Sequence, residues 1–368
     1  MMGGLDLGTA KPRILLVDLG AGYGGSMVYM ESLQHLIGDR FAFSGLCLNP
    51  ESVRALRSLG VPTLSLALTR MLGKPVQVLA SLAVLPYLRF RCRVDAVWVQ
   101  GITDVMLLPL ARLMGCKTIV TRHLTTDTKG RRWHEAAKRY AAELIHRHLI
   151  RAADRIFCVS KTVARDLDRS VSPNRTTVIP NWVSLPSCSL ECDRPRTGPL
   201  RLLFVGRLMR HKGVSLILNA MRKLCGGSVS LTIVGDGECK RELQRLSHGL
   251  PVEFAGFRRD TCIFYREADL FINPSLGPEG LPLVSLEAMS YGLPCVFSDL
   301  PVHEEITDKG KYALLFRRGD SDDLSAKIEM LLSEPQILAE YGQLGRSVVE
   351  ARYSMNAARG RYIEKLPI

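Results

Sequence analysis

Short apolar runs separated by stretches of helical spacing recur along almost the whole chain. Arg13-Ile-Leu-Leu-Val-Asp18 opens the series. A run that is apolar throughout and closed by polar residues fits a strand buried on both faces. Similar runs lie at 41–48, 61–66, 95–100, 117–121 and 154–160, with helical patterns at 104–114 and 161–170 between them. A second series starts at 200–206 and continues at 229–235, 252–257, 268–275 and 294–298, with helices expected near 214–225, 320–333 and 335–351. Strands that alternate with helices imply parallel sheets and an α/β class. At 368 residues, two such units are a better expectation than one enlarged core.

The break between the series is rich in Pro and poor in periodicity, so residues 186–199 read as a linker between a unit at 1–185 and one at 200–345. Ten cysteines are scattered without a Cys-x-x-Cys pair, mostly inside apolar runs, and read as small buried side chains in a reducing compartment. A disulfide between Cys188 and Cys192 is sterically conceivable but not favoured. The N-terminus lacks a basic region followed by an apolar one, so no signal peptide is expected. No apolar run is long enough to span a bilayer. Val76–Leu88 comes nearest and reads first as a core crossover helix, second as a membrane-surface segment. Charge is uneven: residues 1–190 hold 25 Lys and Arg against 13 Asp and Glu, whereas 191–368 hold 24 against 23. The basic half suits an anionic partner or serves solubility alone. Nucleic acid is the weakest such partner, because no zinc-finger or RNA-binding spacing appears.

Chemistry concentrates in residues 274–296. Glu279 and Glu287 stand eight positions apart, with Gly280 and Pro282 between them. Pro282 suits a first helical turn, and Gly292 with Pro294 suits its end, so a short helix is expected over about 282–291. Unpaired N–H groups at its start, near Gly280 and Leu281, attract an anion such as phosphate. A carboxylate before the helix accepts from sugar hydroxyls, and one further in can hold the two hydroxyls of a ribose. The same pattern also fits a surface helix with two solvated glutamates. Upstream, Arg207 and Lys212 flank a strand end and suit a diphosphate. His123 lies just past a strand, where ligands of parallel sheets gather. Arg122 beside it either meets an anionic acceptor or is solvated. Residues 127–151 form a basic helical pattern that fits acidic lipid heads or bare solvent. His146 and His148 within it are poor metal ligands, being two apart on a helix. Asp166-x-Asp168 has the form of a metal-binding pair but reads as a solvated face.

The string Glu279-Gly-Leu-Pro-Leu-Val-Ser-Leu-Glu287-Ala-Met-Ser-Tyr-Gly-Leu-Pro294 resembles the Glu-x7-Glu signature of family-4 retaining glycosyltransferases, which have the GT-B fold. The resemblance implies two facing Rossmann-like domains with a central cleft, and a last helix, 346–368, that crosses back to the first domain. It further implies that Gly24 and Gly25 lie in a glycine loop beside the cleft and that His123 faces the sugar. Arg207 and Lys212, with the helix start at Gly280 and Leu281, would bind the diphosphate, and Glu279 would orient the sugar. Glu287 would hold the ribose, Asp236 would sit on the nucleotide side, and Phe257 would adjoin the base. Val178-Ile-Pro-Asn-Trp-Val183 is similar to the family's Pro-Asn-Gly-Val segment, with Trp182 in place of Gly.

The activity implied is metal-independent, cofactor-free transfer of a sugar from a UDP- or GDP-linked donor, with retention, to a glycan or lipid-linked acceptor of the cell envelope. The alternatives are a catalytically silent nucleotide-sugar-binding scaffold or a sugar-nucleotide epimerase of the same fold. A phosphorylase is disfavoured because no pyridoxal-phosphate lysine is evident. A cytoplasmic protein, peripheral on the inner face of an anionic membrane, is the expected location.

Overall fold

The computed structural model describes residues 11–20, 25–101, 104–125, 144, 148–167, 171–186, 198–224 and 227–368, except for the side chains of Arg70, Met71 and Lys74. Gly24, Asp168, His146, Cys188, Cys192 and most of the basic stretch 127–151 lie outside them.

The first domain contains β1 (Arg13–Asp18), α1 (Gly25–Ile37), β2 (Ala42–Cys47), α2 (Pro50–Ser58), β3 (Thr63–Ser65), α3 (Lys74–Arg91) and β4 (Ala96–Val99). It continues through α4 (Leu108–Leu113), β5 (Lys117–Arg122), β6 (Arg155–Cys158), α5 (Lys161–Arg165) and β7 (Thr176–Val178). Its seven strands run in the order β3-β2-β1-β4-β5-β6-β7, all parallel. The apolar β1 explains why it is central. Ile14, Leu15, Leu16 and Val17 are all buried, and each contributes about 1.5–3 kcal/mol by leaving water. Leu15 and Val17 face a core with α3 and α4, whereas Ile14 and Leu16 face one with α1 and α2.

The second domain contains β8 (Leu200–Val205), α6 (Val214–Met221), β9 (Val229–Val234), α7 (Lys240–Leu246), β10 (Val252–Gly256), α8 (Cys262–Glu267) and β11 (Leu270–Asn273). After it come α9 (Leu283–Ser290), β12 (Cys295–Ser298), α10 (Pro301–Thr307), β13 (Leu314–Phe316), α11 (Ser321–Ser333), α12 (Pro335–Arg352) and α13 (Met355–Lys365). Six parallel strands are ordered β10-β9-β8-β11-β12-β13. Two parallel-sheet α/β domains are therefore present, as the alternating pattern predicts.

The closing helical stretch is two elements rather than one. Helix α12 packs on α9 in the second domain. The chain turns at Tyr353–Ser354, where Val183 N–H donates to the Tyr353 carbonyl at 2.9 Å. Helix α13, capped by Ser354, then enters the first domain, so the change of domain comes at 353–354 and not at 346. Its Tyr362 is fully buried among Trp98, Phe157 and Trp182, and its hydroxyl lies 2.5 Å from that of Tyr29.

Cys47, Cys116, Cys158, Cys239 and Cys295 are buried as expected, but Cys262 at the start of α8 is exposed.

Candidate functional site

Both sheets point the carboxyl ends of their strands at one cleft. On the second-domain side, β8 ends at Val205, just before Gly206, and the 3-10 turn Arg210–Lys212 follows. Gly213 closes this turn at φ +68°, and a Cβ there would stand 2.1 Å from the Pro274 carbonyl oxygen. Only glycine permits that approach. The result is a seam between two loops: Leu276 N–H donates to the His211 carbonyl at 2.7 Å, and the Ser275 hydroxyl lies 3.2 Å from the same oxygen. The seam brings Lys212 Nζ to within 2.5 Å of Glu279 Oε1, which also accepts from Ser275 Oγ at 2.7 Å.

Glu279 is nearly buried. Burial pushes its pKa up, but the Lys212 charge, with hydrogen bonds from Lys212 and Ser275, outweighs burial and holds it below the ordinary value. Behind this pair sits His303, fully buried. Its Nδ1–H donates to the Ser298 carbonyl at 2.8 Å, and Nε2 has no hydrogen-bond partner among the described residues. Burial depresses the His303 pKa to about 4, so the ring is neutral at pH 7.

Glu287 lies a turn and a half into α9. Its Oε2 accepts from the Tyr265 hydroxyl at 2.8 Å, and Tyr265 stacks on Tyr291. Burial raises the Glu287 pKa, and the Tyr265 hydrogen bond only partly offsets it. Helix α9 begins at Leu283 with Pro282 as its cap; Ser285 N–H donates to the Pro282 carbonyl, and among the described residues no cap side chain takes the N–H groups of Leu283 and Val284, in the loop after Glu279. Leu281 itself is buried, and its carbonyl accepts from Asn181 Nδ2 of the first domain at 2.7 Å.

Gly280 marks the join between the domains. A Cβ there would lie 1.6 Å from the His123 carbonyl oxygen. The His123 ring follows β5 directly. Its Nε2 lies 2.9 Å from Gln100 Oε1 at the end of β4, and its edge meets Tyr29 of α1. Burial lowers the His123 pKa to about 4, so it too is neutral at pH 7. A second join is made by Glu305 of α10. Its carboxylate accepts the N–H groups of Lys161 and Thr162 at 2.7 and 2.8 Å, and so caps α5 of the opposite domain.

The remaining candidates divide. Arg207 is exposed at the end of β8 and has no ion pair among the described residues. Asp236 shapes its own turn, accepting from Gly237 N–H and from Lys240 Nζ, each at 2.8 Å. Phe257 is exposed, and with Arg259 it faces Glu51 and Arg54 of α2 across a cavity of about 200 Å³. At the other margin, Gly25 starts α1, and Asp18 at the end of β1 accepts from Ser26 Oγ at 2.9 Å. Two readings need correction. Arg122 is neither solvated nor directed at an acceptor: it is buried and paired with Asp166 at 3.0 Å. The same contact removes Asp166 from the solvated face expected of it, because the end of β5 lies against α5.

Sequence reasoning missed Ser275, Tyr265, Gln100, Asn181 and His303, each of which holds a candidate or its neighbour. Ser275 carried a signal in lying at the strand end that delivers Glu279, and Asn181 in belonging to the Pro-Asn-Trp-Val segment. Among the described residues, no group of three His, Cys, Asp or Glu is arranged to hold a metal ion.

Residues 24–182 match the model of the glycosyl transferase 4-like domain, and residues 199–334 match that of glycosyl transferases group 1. A sulfoquinovosyl transferase of Arabidopsis thaliana is 33% identical over 43% of this chain and 31% of its own length. The phosphatidyl-myo-inositol mannosyltransferase of Mycobacterium leprae is 32% identical over 46% of this chain and 48% of its own. The matched part of the chain thus spans about half or less of these relatives. The crystal structure of Anabaena HepE with UDP-glucose superposes with a TM-score of 0.78 at 17% identity, covering 96% of this chain and 98% of that one.

Proposed function

Because the chain belongs to the glycosyltransferases of GT-B fold, with both of its halves matched by their models, we propose that it transfers a sugar with retention from a nucleotide-diphosphate sugar to a glycan or lipid-linked acceptor of the cell envelope. The observation that carries this reading is the seam that sets Lys212, Glu279 and the open start of α9 against His123 of the other domain.

In this reaction the bond between C1 of the sugar and the diphosphate oxygen breaks, and its electron pair leaves with the phosphate. Arg207, Lys212 and the first N–H groups of α9 meet that charge, and charge stabilisation of this kind is the largest catalytic contribution available here. No metal is needed in this scheme, since the two cations and the helix start supply the positive potential. The acceptor oxygen bonds to C1 on the face the phosphate leaves, and its proton passes to the departing phosphate oxygen. Glu279, kept ionised by Lys212, accepts from sugar hydroxyls, and neutral His123 faces the sugar from the first domain. Glu287 accepts the ribose hydroxyls, with Phe257 and Asp236 at the nucleotide margin and Gly24 and Gly25 at the acceptor margin. The +12 first half favours an acceptor met at an anionic membrane, on the cytoplasmic side where sugar nucleotides are found.

Calorimetry with UDP, GDP and ADP tests the reading. The UDP-glucose bound to Anabaena HepE makes UDP the first choice. Binding of one nucleotide by the wild type, lost in Glu287→Ala and in Lys212→Ala, is the expected result. If none of the three binds, the transferase reading is wrong. NMR of the product's anomeric carbon then decides retention.

A further inference from the structure

Helix α3 reverses the usual arrangement of a surface helix. Its inner stripe, Gln77, Val78, Ser81, Leu85 and Leu88, is buried against the first sheet. The opposite stripe is apolar as well. Val76, Leu79, Tyr87 and Phe90 are 37%, 65%, 62% and 74% exposed, with exposed Ala83 between them. These five residues follow the 3.6-residue period, so they form one ridge about 21 Å long. The 3-10 turn that leads into the helix, Ala67–Leu72, extends the ridge with Leu68 at 95% and Leu72 at 62% exposure. Soluble proteins seldom leave so continuous an apolar surface uncovered.

Charge identifies what covers it. From Ser52 to Val94 the sequence holds seven Lys and Arg and no Asp or Glu. Of these, Arg91 and Arg93, at and just past the end of α3, are exposed, whereas Arg54 and Arg57 belong to α2 on the opposite face of the sheet. A second copy of the chain would set like charges against like across a two-fold contact. An anionic lipid surface meets both features at once. No helix among the described residues is long and apolar enough to cross a membrane, and the inner stripe of α3 is committed to its own sheet. The helix must therefore lie flat.

We propose that the outer face of α3 and the preceding turn form a bilayer-docking surface. Leu68, Leu72, Leu79, Tyr87 and Phe90 enter the acyl boundary, and Arg91 and Arg93 meet lipid phosphates. The inference rests on the reading of an acceptor held at an anionic membrane, and it adds an orientation. In a β3–α3–β4 crossover the helix runs against its strands, so its N-terminal end lies toward their carboxyl ends, where the cleft opens. Docking through α3 brings the rim of the cleft to the lipid heads.

Flotation with vesicles of phosphatidylcholine, with and without phosphatidylglycerol, tests the surface. Wild-type protein is expected to float only with the anionic vesicles, and less in high salt. Leu79→Glu/Phe90→Glu is expected to lose at least about tenfold in partitioning while unfolding at the wild-type temperature. Should that variant fold poorly, Leu79→Trp replaces it, with a blue shift of emission expected on adding anionic vesicles. The proposal is overturned if wild type stays out of the vesicle fraction, if the Glu variant floats as well as wild type, or if the Trp emission does not move. A wild-type dimer that the Glu variant disperses would overturn it in favour of self-association. UDP binding by calorimetry is independent of all these outcomes, so the docking surface and the transferase reading fail separately.

Discussion

The two ends of the central turn shift the same chemical group in opposite directions. Glu279 and Glu287 are both carboxylates withdrawn from water, and burial is the largest influence on each. Glu279 has an ammonium beside it, whereas Glu287 has a phenol. The cation, with the hydrogen bonds from Lys212 and Ser275, outweighs burial and the phenol does not, so one pKa falls and the other rises. The pair teaches that helix position and residue type do not fix the sign of a pKa shift: the partner delivered by another loop does.

The largest test breaks the first end. Lys212→Met leaves Glu279 buried without its cation, and the expected loss in urea-unfolding stability at pH 7 is about 3–5 kcal/mol. Adding Glu279→Gln should recover much of that loss, which separates an unpaired charge from general damage. Next comes Glu287→Gln. Its neutral amide escapes the burial penalty, so stability at pH 7 should hold or rise by about 1 kcal/mol. UDP affinity, in contrast, should fall by about tenfold or more in calorimetry, because the amide is a weaker acceptor for ribose hydroxyls.

Acidification sharpens the contrast. The raised Glu287 pKa means that its carboxylate protonates first, so UDP affinity should drop by about tenfold for each pH unit below that pKa. Glu279, held below the ordinary value, protonates only after Glu287. Stability linkage has opposite signs at the two ends. The contribution of Glu279 is present above its unfolded pKa and is lost as pH falls through the depressed folded value. That of Glu287 is present below its unfolded pKa and is lost as pH rises through the raised one. A UDP-affinity profile unchanged in Glu287→Gln would remove Glu287 from the nucleotide site.

The smallest effect is expected from Tyr265→Phe, about 1 kcal/mol of stability. Because the phenol partly offsets burial, its loss should move the acid limb of UDP binding to higher pH. An acid limb that stays in place would show that Tyr265 does not tune Glu287.

Much of this molecule was legible in its sequence. Continuous apolar runs such as 13–18 and 268–273 have one outcome in a chain of this kind, a strand covered on both faces, and the alternation with helices makes the sheets parallel. Gly280 and Pro282 likewise announce where α9 begins, because turn and cap chemistry is local. The partners were not legible. Nothing near Glu287 names Tyr265, twenty-two residues away, and nothing near Arg122 names Asp166, forty-four away. The outer face of α3 was hidden for a related reason: Val76–Leu88 reads as apolar all round, and only packing against the first sheet shows which stripe is covered. Periodicity, capping and turn residues act over a few positions and are written in order along the chain. Charge state, ion pairing and exposure depend on which groups meet across loops and domains, and only the tertiary structure decides those meetings.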